Sequence, residues 1–158
     1  MTSLEDREQF IARYGQLFEH SPWIARRAAT MLPFSSLHGG LMKVVHDATP
    51  EEQLSLIRAH PELANKAEVG SLTDASAAEQ ASAGLDQLTQ EEFDRFHALN
   101  AAYRAKFDFP FIICVRLTNK AGILAAMERR LANDRDTEIA TALEQIGEIV
   151  RLRLEYVA

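Results

Sequence analysis

Apolar residues recur at three- and four-residue intervals along most of this chain, which is the spacing of helices. Phe10, Ile11, Tyr14, Leu17 and Phe18 form the first stripe, and Ser3, followed by Glu5 and Asp6, is the expected N-cap of its helix. Ser21-Pro22 reads as a cap and a first-turn proline for a second helix carrying Trp23, Ile24, Ala28, Met31 and Leu32, ended near Pro33. Leu37, Leu41, Val44, Val45 and Ala48 predict a third. Thr49-Pro50-Glu51-Glu52 supplies a cap, a proline and a capping-box glutamate in order. The helix it opens carries Leu54 and Ile57 and must stop near His60, because a residue before proline is pushed out of the α region.

Small residues dominate from Asn65 to Gly84, with Gly70 as an expected turn and Ser76 and Glu79 spaced like a helix start. Thr89-Gln90-Glu91-Glu92 is a second capping box, ahead of Phe93, Phe96, Asn100, Tyr103 and Phe107. The run from Phe109 to Val115 is aromatic and β-branched, so propensity alone favours a strand. No partner strand is evident elsewhere, and a buried extended segment entering a helix is expected instead. Lys120 to Leu131 predicts a further helix, and Asp136 can cap a last one with Ile139, Leu143, Ile146, Ile149 and Val150 as its stripe. Without a repeat, low-complexity tract or linker, the expectation is an all-α single domain over residues 1–158, of roughly eight helices.

Composition narrows the function more than the fold. Seventeen Lys and Arg against 23 Asp and Glu give a net charge of −6, which argues against a nucleic-acid or anionic-membrane binder. An anionic small molecule remains open, since one well-placed arginine can hold it. The lone Cys114 excludes an internal disulfide, and no apolar run approaches the length of a membrane span. An acidic first segment and a C-terminal Tyr156-Val157-Ala158 carry no address, so cytoplasm is expected.

Of five histidines, His20, His38, His46 and His97 have no neighbours of a recognisable catalytic pattern, and no zinc-ligand spacing exists. His60 stands apart because Pro61 fixes the backbone at a helix end, where a ring can project into a cleft. The plain alternative is a histidine interacting with the helix dipole. Glu79 can be a carboxylate beside that imidazole or simply the third residue of a capping box, and Gln80 can be solvated. Arg153 shares the apolar stripe with Ile146, Ile149 and Val150, whereas Arg151 falls on the polar face with Glu144 and Glu148. A guanidinium on the stripe either snorkels to solvent or clamps a carboxylate.

Taken together, His60-Pro61-Glu62-Leu63, Ser76-x-x-Glu79-Gln80-x-x-x-Gly84-Leu85 and Phe107-x-Phe109 through Arg116 resemble the signature blocks of the 2-oxo-4-hydroxy-4-carboxy-5-ureidoimidazoline (OHCU) decarboxylases. The segment from Glu128-Arg129-Arg130-Leu131 to Arg153 resembles that family's closing helices, so the likeness spans essentially the whole chain. It implies an all-helical fold, a homodimer, and cofactor-independent decarboxylation to (S)-allantoin at the end of urate breakdown. By motif, His60, Glu79 and Arg153 match the family's catalytic residues. Pro61, the run Ser76, Ala77, Ala78, Glu79 and Gln80, and the run Phe111, Ile112, Ile113, Cys114 and Val115 match its substrate-binding segments. The family often carries glycine where this chain has Asn65.

The implied chemistry suits these residues. The substrate carries its leaving carboxylate next to a carbon–nitrogen double bond that accepts the electron pair, so no cofactor or metal sink is needed. His60 would move a proton, Glu79 would orient and charge the imidazole, Ser76 and Gln80 would hold amide groups, and Arg153 would anchor the carboxylate. Two other classes fit a helical chain of this kind. A lyase or hydrolase acting on another ureido compound would release no carbon dioxide. A non-enzymatic ligand-binding module would tolerate loss of both His60 and Glu79.

Overall fold

The computed structural model describes residues 4–64 and 73–157; the expectations placed on Ser3, Asn65 and Gly70 fall outside them. Among the described residues the chain forms α1 (Leu4–Tyr14), α2 (Trp23–Ala29), α3 (Leu37–Asp47) and α4 (Pro50–Arg58). Then come α5 (Asp74–Ser82), α6 (Gln90–Phe107), a 3-10 turn (Val115–Leu117), α7 (Lys120–Arg130) and α8 (Arg135–Val157). No strand occurs among the described residues, as expected for an all-α fold. None of these helices is long and apolar enough to cross a membrane.

Helix starts follow local chemistry, with three corrections. Thr49 and Thr89 each form the full capping box, their hydroxyls accepting from Glu52 N and Glu92 N at 3.1 Å while those carboxylates accept from the cap amides. Such a cap stabilises a helix by roughly 1 kcal/mol. Ser21 does not cap α2, because its hydroxyl donates to the Glu19 carbonyl at 2.8 Å and the helix is entered from Pro22 without a side-chain cap. Thr73, not Ser76, caps α5, its Oγ1 accepting from Ser76 N at 3.2 Å. Asp134, not Asp136, caps α8 by accepting from Thr137 N at 2.7 Å. Leu17 and Phe18 are buried although α1 ends at Tyr14, and Met31 lies beyond α2 and is exposed.

α1 packs on α2, α2 on α3, and both α3 and α4 pack on α8, while α6 packs on α7. Between α6 and the 3-10 turn runs the aromatic segment from Phe109. Tyr103 packs against Phe107, Phe109 and Phe111 with ring centroids 4.6, 5.9 and 5.3 Å away. The segment is buried and extended yet forms no ladder, and side chains satisfy part of its backbone instead. Ile112 O accepts from Arg130 Nη1 at 2.7 Å, and Cys114 N donates to Gln145 Oε1 at 2.9 Å. Arg130 is held in turn by Glu138, which also accepts from the Tyr103 hydroxyl at 2.6 Å and from Asn133 Nδ2 at 2.8 Å. This buried cluster sets one wall of the site.

Candidate active site

His60 follows the C-cap of α4, where Pro61 forbids another helical turn, and the residue is 9% exposed. Nδ1 lies 3.0 Å from Leu56 O. A carbonyl can only accept, so Nδ1 carries the proton and the Nε2 lone pair is left without a hydrogen-bond partner among the described residues. Burial pushes the imidazole down to about 4, against the opposing pull of the Leu56 carbonyl and the Glu19 charge. At neutral pH the ring is therefore a free base.

α5 supplies the facing surface. Ser76, Glu79 and Gln80, at i, i+3 and i+4, share one face and line the same cleft as His60 and Pro61. Ala77 and Ala78 do not: both side chains are exposed on other faces, and the Ala77 amide is bonded to Thr73 O at 2.9 Å. Ala78 lines the adjoining groove with Glu79 and Arg153 instead. Gln80 Oε1 accepts from Ala64 N at 3.2 Å, which leaves its amide nitrogen as the group to offer a ligand.

The Arg153 guanidinium is 6% exposed and makes a two-pronged pair with Glu79, Nε to Oε2 and Nη2 to Oε1, each at 2.8 Å. It also donates to Leu17 O at 3.1 Å and Ser76 Oγ at 3.3 Å, and approaches Glu19 Oε1 at 2.9 Å. Arg153 therefore does not snorkel, and Arg151 stays exposed, paired with Glu148. The expectation that Glu79 orients the imidazole is corrected: Glu79 pairs with Arg153, and the carboxylate whose charge favours protonated His60 is Glu19. A buried guanidinium demands a partner, and a planar fork matches a carboxylate better than an imidazole edge does.

Glu19 is 1% exposed and accepts from the Thr73 hydroxyl at 2.6 Å. Burial pushes its carboxyl up, but the Thr73 and Ser76 hydroxyls, Arg153 and His60 outweigh that and hold it below its ordinary value. Thr73 thus caps α5 and ties it to the segment ahead of α2. Glu19 escaped sequence reasoning because it lies in an irregular turn before His20, whose φ is 46°, where no periodic rule says which way a side chain faces.

Phe111, Ile112, Ile113, Cys114 and Val115 form the apolar wall opposite, joined by Leu63, Arg116 and Ile149. Leu63 and Arg116 belong to the blocks that carry the family resemblance and Ile149 to the α8 stripe, but no role in the site is expected of them from sequence. Burial raises the Cys114 pKa, leaving a neutral thiol that serves as wall rather than nucleophile. The cleft is open to solvent at its mouth, and the space between its walls, open solvent included, is about 440 Å³.

A free-base histidine and a fixed carboxylate–guanidinium pair facing one small, mostly apolar cleft define an enzyme for proton-transfer chemistry on a small molecule. The OHCU decarboxylase family model matches residues 3–155. The chain is 45% identical over 152 residues to 2-oxo-4-hydroxy-4-carboxy-5-ureidoimidazoline decarboxylase of Haloferax volcanii, covering 94% of this chain and 89% of that protein. It is 41% identical over 152 residues to the uric acid degradation bifunctional protein of Bacillus subtilis, covering 94% of this chain but 30% of that longer one. A crystal structure of (S)-allantoin synthase superposes with a TM-score of 0.73 at 28% identity, over 96% of this chain and 50% of the other. The chain belongs to the OHCU decarboxylase family, whose named members are carboxy-lyases.

Proposed function

We propose that this chain decarboxylates 2-oxo-4-hydroxy-4-carboxy-5-ureidoimidazoline to (S)-allantoin and carbon dioxide, completing urate degradation without a cofactor. The observation that carries the reading is His60: a buried imidazole with its Nδ1 proton committed to Leu56 O and its Nε2 lone pair uncommitted, in a cleft shared with Glu79 and Arg153. The family membership and the named relatives support the same reading.

The bond from the hydroxyl-bearing ring carbon to the carboxylate breaks. Its electron pair forms a double bond to the neighbouring ring carbon, and the former imine nitrogen takes up a proton. The resulting enol then loses its hydroxyl proton as the neighbouring carbon gains one, giving the ring carbonyl of allantoin. One proton is consumed overall for each carboxylate lost. His60 Nε2 takes the hydroxyl proton and, from one face of the ring, returns a proton to carbon, which sets the (S) product. The Glu79–Arg153 pair, fixed before the substrate arrives, holds the polar edge of the substrate in place.

Ser76 and Gln80 hold the ureido and ring amide groups. The main-chain N–H and C=O of Ile113, which have no partner among the described residues, read the flat heterocycle between the engaged groups of Ile112 and Cys114. We assign this work to one domain over residues 1–158, acting as a cytoplasmic homodimer; light scattering on the purified chain tests the dimer.

The direct experiment generates the unstable substrate from urate with a urate oxidase and a hydroxyisourate hydrolase. Circular dichroism then follows (S)-allantoin. The chain should accelerate its appearance well beyond spontaneous decay and release carbon dioxide in equal amount. No acceleration would overturn the reading.

A further inference from the structure

The charges around His60 do not by themselves welcome an anion. Glu79 and Glu19 contribute two carboxylates, Arg153 contributes one guanidinium between them, and the imidazole is neutral. Arg153 is already committed to both carboxylates, to Ser76 and to Leu17 O. A substrate carboxylate arriving beside it would meet net negative charge.

Arg116 differs in each respect. It sits on the 3-10 turn immediately after the apolar wall and lines the cleft, and it also lines a larger groove on the far side of the Glu79–Arg153 pair. Its guanidinium lies 4.7 Å from the centroid of the Tyr156 ring and donates to the Tyr156 hydroxyl, neither of which is an anion. No carboxylate pairs with it among the described residues. Tyr156 follows Arg153 by three residues on α8, so the helix face that carries the buried pair also carries the rest on which Arg116 lies.

We propose that Arg116 binds the departing carboxylate of the substrate, with Tyr156 as its positioning residue, while Arg153 organises Glu79. This rests on the decarboxylase reading above and assigns the carboxylate within it. A partly exposed arginine suits that task better than a buried one. It attracts the anion, but solvent screening keeps the hold modest, so the ground state is stabilised less against loss of the group than it would be by a fully buried guanidinium. Once carbon dioxide forms, the charge is gone and so is the attraction.

Product binding separates the two arginines, because allantoin lacks the carboxylate. Arg116→Ala should raise KM for the in situ generated substrate roughly 10- to 100-fold, the effect of losing a charge-assisted hydrogen bond. It should leave kcat within a few-fold and calorimetric affinity for (S)-allantoin unchanged. Arg116→Lys should recover part of the KM, and Tyr156→Phe should raise it a few-fold in the same direction. Should Arg116→Ala lose its fold, Arg116→Gln, which keeps the stem over Tyr156, carries the same expectation. An unchanged KM, or an equal loss of allantoin affinity, would overturn the proposal. Failure of the wild-type chain to accelerate decarboxylation would instead overturn the function itself, and is read before any variant is made.

Discussion

Arg130 and Arg153 lie on the last two helices, each buried and each paired with a carboxylate, yet they serve different ends. Arg130 joins Glu138, and Glu138 also collects Tyr103 and Asn133, while the guanidinium lies 4.2 Å from the Phe111 ring and holds Ile112 O. That cluster is enclosed, with Glu138 fully buried, and its product is the position of a wall. Arg153 joins Glu79 and Ser76, both of which line the cleft, and Glu19, whose Oε2 is buried with no hydrogen-bond partner among the described residues. Burial and pairing therefore do not separate scaffold from site. Access to the cleft does: Ser76, Glu79 and Arg153 line it, whereas Arg130 and Glu138 do not.

The sharpest contrast between the two clusters lies in activity. His60→Ala should lower kcat by roughly 100- to 10,000-fold while melting stays cooperative, and full activity in that folded variant would remove His60 from the chemistry. Next in size is a pair of multiple variants. Arg153→Met with Glu79→Gln and Glu19→Gln, which strands no buried carboxylate, should fold but lose roughly 100-fold or more in kcat, whereas Arg130→Met with Glu138→Gln should remain active per folded molecule. Equal losses would erase the distinction drawn here. In single form, Arg130→Met strands Glu138 without its cation and should cost about 3–5 kcal/mol in urea unfolding.

Acid sharpens the site cluster further. The folded His60 pKa of about 4 lies below its ordinary 6.5, so the unfolded chain binds more protons between those values. Stability should fall as pH drops through that window, by at most about 3 kcal/mol, and His60→Ala should flatten the slope. Smallest of all, Arg151→Ala, on the exposed face, should leave both the urea unfolding curve and kcat essentially unchanged.

Much of this was legible beforehand where a rule had one solution. The two Thr-x-x-Glu boxes, the stop before Pro61 and the choice of Arg153 over Arg151 as the stripe residue each follow from a periodicity or a backbone constraint, and the lack of a candidate partner strand argues against a strand at Phe109. Where several side chains could do one job, choice fell to tertiary context. Thr73 outcompeted Ser76, and Asp134 outcompeted Asp136, because either residue of each pair is a sound cap. Ala77 and Ala78 came in with a contiguous motif, although a helix presents only every third or fourth residue to one side. The exchange of Glu79 for Glu19 as the carboxylate acting on His60 was invisible, since it depends on contacts spanning most of the chain.

Those spans carry a consequence for how the molecule comes into being. Arg153 reaches Leu17 across 136 positions and Glu79 across 74, so the centre is made almost wholly of contacts distant in sequence. Loops of that length close late, after local helices and short-range packing have formed. α4 and α5 can therefore present His60 and Glu79 in a folding intermediate that still lacks the guanidinium between them. Until α8 docks, Glu19 and Glu79 would be partly dehydrated anions with no counter-charge, a repulsion that disfavours premature closure. Catalytic competence and the final folding step are thus expected to coincide, and refolding followed by activity should lag refolding followed by helical signal.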